Sequence, residues 1–84
     1  MIPRHLKLRY MSYPRLLDRL LELGYYSFTT EFLPDEYGFH GIARCSLFFK
    51  GCDTPDVTGD GHGTDSIRNA IRRAEEKLKS HPLP

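Results

Sequence analysis

Tyr25-Tyr26-Ser27-Phe28-Thr29-Thr30-Glu31-Phe32-Leu33 decides the fold, because a run this rich in aromatic and β-branched residues suits a half-buried pleated strand. Alternation sets Tyr26, Phe28, Thr30 and Phe32 on one face and leaves Tyr25 and Leu33 for the other. Turn chemistry follows at Pro34-Asp35-Glu36-Tyr37-Gly38. The run from Phe39 to Lys50 then places Phe39, Ala43, Cys45, Leu47 and Phe49 on one side, with Ile42 and Phe48 opposite. These two runs predict an antiparallel hairpin. Gly51 turns the chain again, and a third strand is expected between Cys52 and Gly59, with Pro55 marking an edge or a bulge.

Outward from the hairpin the period changes. Leu16, Leu17, Leu20, Leu21 and Leu23 recur at helical spacing, Pro14 sits in the first turn and Gly24 supplies a C-cap, which predicts a helix over residues 13–23. On the other side, Gly59-Asp60-Gly61-His62-Gly63 reads as a flexible connector into a helix capped by Thr64, Asp65 or Ser66. The apolar stripe of that helix is Ile67, Ala70, Ile71, Ala74 and Leu78. At the front, Leu6, Leu8 and Tyr10 alternate with His5, Lys7 and Arg9, so residues 1–11 are expected to be an arm or an extra short strand. Residues 80–84 read as a tail, and residues 12–79 as one α+β domain. Its order is helix-strand-strand-strand-helix, an antiparallel three-stranded sheet with both helices on one face.

Composition narrows the function. At 84 residues, 39% hydrophobic, the chain holds one small core and has no room for a second domain. No run approaches the ~20 apolar residues of a membrane span. Two cysteines make no disulfide framework, and the basic start is followed by no apolar run of signal type, so a cytoplasmic protein is expected. The net charge of +1 conceals a division: Lys and Arg against Asp and Glu number five to two in residues 1–23, two to seven in 24–66, and five to two in 67–84. Basic ends around an acidic middle suit either an anionic partner or simple solvation of surface helices.

This order, over residues 12–79, resembles the double-stranded RNA-binding domain. Tyr13-Pro14-Arg15-Leu16-Leu17 is similar to the family's leading helix, Tyr37-Gly38-Phe39-His40 to its histidine-bearing loop, and Gly59-Asp60-Gly61 with Asn69-Ala70 to the approach and body of its last helix. The resemblance implies the αβββα fold and duplex binding through helix faces, with His40 in the contact surface. It departs at Thr64-Asp65-Ser66, where the family has a lysine cluster that grips phosphates. Residues 26–78 also resemble antitoxins of the HicB type, through the acidic turn Pro34-Asp35-Glu36-Tyr37-Gly38-Phe39 and a helix after a glycine-containing segment.

Catalysis and cofactors find little support. His62-Gly63-Thr64 resembles the histidine signature of subtilisin-type proteases, but Asp65 replaces its second histidine and the chain is too short for the rest of a triad. Asp56, Thr58, Asp60 and Gly61 match early positions of an EF-hand loop, yet Ile67 stands where the bidentate glutamate belongs. Cys45 and Cys52 with His40 and His62 lack the close pairs of a zinc site, and alternation sends Cys45 to the core. No enzyme and no cofactor are expected; whether those four residues bind a metal is left open.

What remains is surface chemistry. Arg68, Arg72, Arg73, Lys77 and Lys79 on the last helix, with Arg15 and Arg19 on the first, form candidate contacts for nucleic acid or an acidic protein. The leading expectation is a non-catalytic module that binds nucleic acid through these faces. The alternative is a protein-interaction factor, such as a phage or mobile-element regulator or an antitoxin. It would act through the basic helix or a sheet face bearing Tyr25, Leu33, Ile42 and Phe48, which also suits a homodimer.

Overall fold

Pro14 opens the first helix and Gly24 closes it in the computed structural model, which describes residues 8–33 and 41–80. This helix, α1 (Tyr13–Glu22), ends in a Schellman motif. Gly24 takes φ +92°, its N–H donates to the Leu21 carbonyl, and the Tyr25 N–H donates to the Leu20 carbonyl. Three antiparallel strands follow, β1 (Ser27–Phe32), β2 (Ile42–Phe48) and β3 (Val57–His62), in spatial order β1-β2-β3. The chain then enters α2 (Asp65–Ser80). The α+β order is the one the sequence predicts. The expected turn between β1 and β2, with His40 and Phe39, lies outside the described residues, as do residues 1–7 and 81–84.

The register sets Phe28 opposite Leu47, Thr30 opposite Cys45 and Phe32 opposite Ala43, so these six share the helix-facing side. Leu16, Leu20, Cys45, Leu47, Ile67, Ala70, Ile71 and Ala74 form the core there with Leu8 and Tyr25. Each large aliphatic side chain so buried contributes on the order of 2 kcal/mol. Because α2 packs on β3 and β2, the outer strand β1 extends past the helices. Phe32 and Tyr26 consequently stay about two-thirds exposed.

Four expectations are corrected. Leu8 to Tyr10 are helical and no strand, since Leu8 is drawn into the core and Arg68 holds the carbonyls of Leu8 and Met11. The third strand spans Val57–His62 and absorbs most of the supposed connector. Gly59 is buried beneath α2, where an added Cβ would stand 2.6 Å from Ala70 Cα. Glycine is therefore the condition for the strand to pass under the helix. Tyr25, expected on an open sheet face, is buried with its ring stacked on Phe49 at 4.6 Å between centroids. Leu78, expected in the buried stripe, is 44% exposed because the last turns of α2 run past the sheet.

Candidate nucleic-acid interface

Geometry divides the predicted basic residues into those engaged inside the fold and those facing outward. Arg68 belongs to the first group. Its Nε and Nη2 donate to the carbonyls of Leu8 (3.1 Å) and Met11 (2.8 Å), and its Nη1 donates to Thr64 Oγ1 and Asp65 Oδ1. The guanidinium thus ties the N-terminal helical turn to the start of α2. Arg19 also bridges elements, donating to Glu75 Oε1 on α2 and to Glu22 Oε2, each at 3.0 Å. Burial alone would lower the Arg19 pKa; the bonds to Glu75 and Glu22 outweigh it and raise the value.

Lys77 is engaged through the acidic segment. Its Nζ donates to Asp56 Oδ1 at 2.5 Å, and the Tyr25 hydroxyl donates to Asp56 Oδ2 at 2.7 Å. Burial works to raise the Asp56 pKa, but the bonds from Lys77 and Tyr25 prevail and lower it. For Tyr25, burial first and the Asp56 carboxylate second push the phenol far up. Arg15 is exposed beside Asp18, Glu22 and Glu75, in a cleft where carboxylates outnumber guanidiniums.

Arg72, Arg73 and Lys79 remain outward. Arg72 and Arg73 are exposed at the edge of α2, above β3, and line a polar groove with Arg44, Asp60, Asn69 and Glu76. Asn69 organises it: its Nδ2 donates to the Asp60 carbonyl at 2.6 Å and its Oδ1 accepts from Arg72 Nη1 at 2.9 Å. Arg44 reaches Asp60 in a fork, Nε to Oδ1 at 2.9 Å and Nη2 to Oδ2 at 3.2 Å. The bond from Arg44 chiefly, and the charge of Arg73, hold the Asp60 carboxyl below the usual carboxylate range. Among the described residues no carboxylate forms an ion pair with Arg72, Arg73 or Lys79.

Sequence reasoning missed Arg44 and Asn69. Arg44 alternates with the buried Ala43 and Cys45, which sends it outward, but its partner Asp60 falls in a stretch whose glycines read as a connector. The early EF-hand positions do not form a loop: Thr58, Asp60 and Gly61 lie along β3, while Asp56 and Asp60 hold Lys77 and Arg44. Among the described residues no three His, Cys, Asp or Glu side chains gather as a metal site. Cys45 is buried, which pushes its thiol up to about 11, and Cys52 is exposed. Among the described residues no helix is long and apolar enough to cross a membrane. Compared with known proteins, the chain matches no family model, no curated protein and no solved structure.

Proposed function

We propose that the protein is a small non-catalytic binding module that contacts nucleic acid phosphates along the α2–β3 edge. One observation carries this reading: Arg72 and Arg73, both exposed and without an ion pair to a described carboxylate, stand with Arg44 around one polar groove. Guanidiniums grouped in this way suit phosphate oxygens, which they can meet in a fork. The αβββα order supports a likeness to the double-stranded RNA-binding domain and thus favours a duplex. The contact would lie further along the last helix than in that family, because the first turn here is Asp65 with Arg68 held by its own chain.

The test is fluorescence anisotropy with duplex RNA, duplex DNA and single strands at low salt. Binding that Arg72→Glu with Arg73→Glu weakens at least tenfold is expected, on the order of 1–2 kcal/mol. No binding to any of these probes at low salt would overturn the proposal. Arg68 is unsuited to the test, since its loss would disturb the fold itself.

A further inference from the structure

We propose that the Asp60 carboxylate holds on Arg44 the place of a phosphate, and that a nucleic acid strand seated at Arg72 and Arg73 displaces it. This role rests on the α2–β3 interface proposed above, and makes Asp60 an internal competitor that limits affinity there.

Arg44 and Asp60 are direct cross-strand neighbours on β2 and β3. Arg44 presents Nε and Nη2 side by side, and each donates to one Asp60 oxygen, at 2.9 and 3.2 Å. A guanidinium receives two oxygens of a phosphate in the same fork. Arg72 and Arg73 line the groove with this pair, so an anion at the fork has two further cations near it. Glu31 faces Arg44 from the other side, on β1, and adds only its charge.

Other ion pairs of the fold are poorly placed to exchange their carboxylate. Arg19 joins α1 to Glu75 of α2, and those side chains are only 21% and 14% exposed. Lys77 reaches an Asp56 that also accepts from the Tyr25 hydroxyl. Arg68 is held by two main-chain carbonyls. Arg44 and Asp60 are 43% and 47% exposed, and they lie on strands already joined by their ladder. Opening this pair therefore wets little that was dry and detaches no element, and exposed pairs of this kind are weak. The strand itself stays in place when the carboxylate leaves, because Asn69 Nδ2 donates to the main-chain carbonyl of Asp60 and not to its side chain. A strand anchored at Arg72 and Arg73 delivers a further phosphate to Arg44 within the complex, at high local concentration. Asp60, fixed beside Arg44 by its own backbone, competes with that phosphate on similar terms.

Anisotropy titrations at one low salt concentration, with duplex RNA, duplex DNA and single strands, separate a competitor from a residue that merely positions Arg44. Arg44→Gln should weaken binding at least about threefold, and Asp60→Asn should strengthen it. Glu76→Gln removes a carboxylate that lines the same groove without an ion pair to Arg44, and so measures the loss of repulsion alone. The gain from Asp60→Asn should exceed the gain from Glu76→Gln at least about threefold. Asp60→Thr, a residue suited to a strand, should act as Asp60→Asn does. In NMR spectra of the native chain the Arg44 Nε–H signal should shift on binding, as phosphate replaces carboxylate. Asp60 variants that weaken binding, or that gain no more than Glu76→Gln, overturn the competitor role. An Arg44→Gln variant that binds as the native chain does overturns it too. Both results leave the interface standing where Arg72→Glu with Arg73→Glu still weakens binding. If neither the native chain nor Asp60→Asn binds any probe, the interface and the competitor fall together.

Discussion

Gly59 is the position at which one methyl group matters most. A Cβ there would meet the backbone of Ala70 and Asn69, 2.6 Å from Ala70 Cα, and backbone cannot rotate away as a side chain can. Gly59→Ala must therefore push α2 off β3, opening the core at Ile67, Ala70 and Ile71. The expected cost is about 3 kcal/mol or more, a fall in Tm of at least about 12 °C by thermal denaturation. Gly51, where an added Cβ has open space, sits in a turn of φ +80° and tests backbone strain alone. Tyr25 and Asp56 set both limits of the stability–pH profile. Asp56 has a folded pKa below its ordinary 3.8, so its contribution is complete above pH 3.8 and is lost as pH falls through the lower folded value. Tyr25 has a folded pKa raised above 10, so its contribution is complete below pH 10 and is lost as rising pH ionises the unfolded chain alone. Asp56→Asn should flatten the acid limb of a Tm–pH curve, and Tyr25→Phe, which keeps the stack on Phe49, the alkaline limb.

Elements are joined here by side chains as much as by the core. Arg68 spans from α2 to the helical turn at Leu8–Tyr10, and removing it leaves the half-buried carbonyls of Leu8 and Met11 without their donor. Arg68→Ala should cost about 1–3 kcal/mol and speed proteolysis ahead of Met11, whereas Arg15→Ala, exposed on α1, should do neither. This bridge marks the boundary of what the amino-acid sequence reveals. Both helices were legible because proline, glycine and apolar spacing are local signals, and α1 and α2 end within a residue or two of their predicted limits. β3 was not, because the same glycines that signal a connector also permit a close strand–helix crossing, and only the tertiary contact with Ala70 separates the two. That displacement carried into the candidate site. With Asp60 read as connector, its cross-strand partner Arg44 had no visible role, and Arg68 looked like a surface cation because the carbonyls it binds lie far away in sequence.

At the scale of the whole molecule, several basic residues of the ends and of the middle are tied to carboxylates inside the fold. Lys77 holds Asp56 of the middle segment, Arg44 and Asp60 pair within it, and Arg19 joins Glu75 across the two helices. Around the proposed interface this leaves Arg72 and Arg73 as cations without an ion pair to a described carboxylate, beside Arg44, which is shared with Asp60. That small set limits how steeply binding can depend on salt. Each neutralised phosphate on duplex DNA contributes a slope of about −0.9 in log K against log salt, so three contacts give about −2.7. Raising salt from about 50 to 200 mM should then weaken binding roughly 40-fold, well short of the thousandfold loss of a protein with six or more phosphate contacts. Arg72→Glu with Arg73→Glu should bring the slope down by about 2, while Arg15→Glu, remote on α1 among carboxylates, should leave it unchanged. Anisotropy titrations at four or more salt concentrations measure both quantities. A slope that Arg15→Glu lowers as much as the α2 pair would move the interface to α1, and the charge arithmetic of the α2–β3 groove would fail with it.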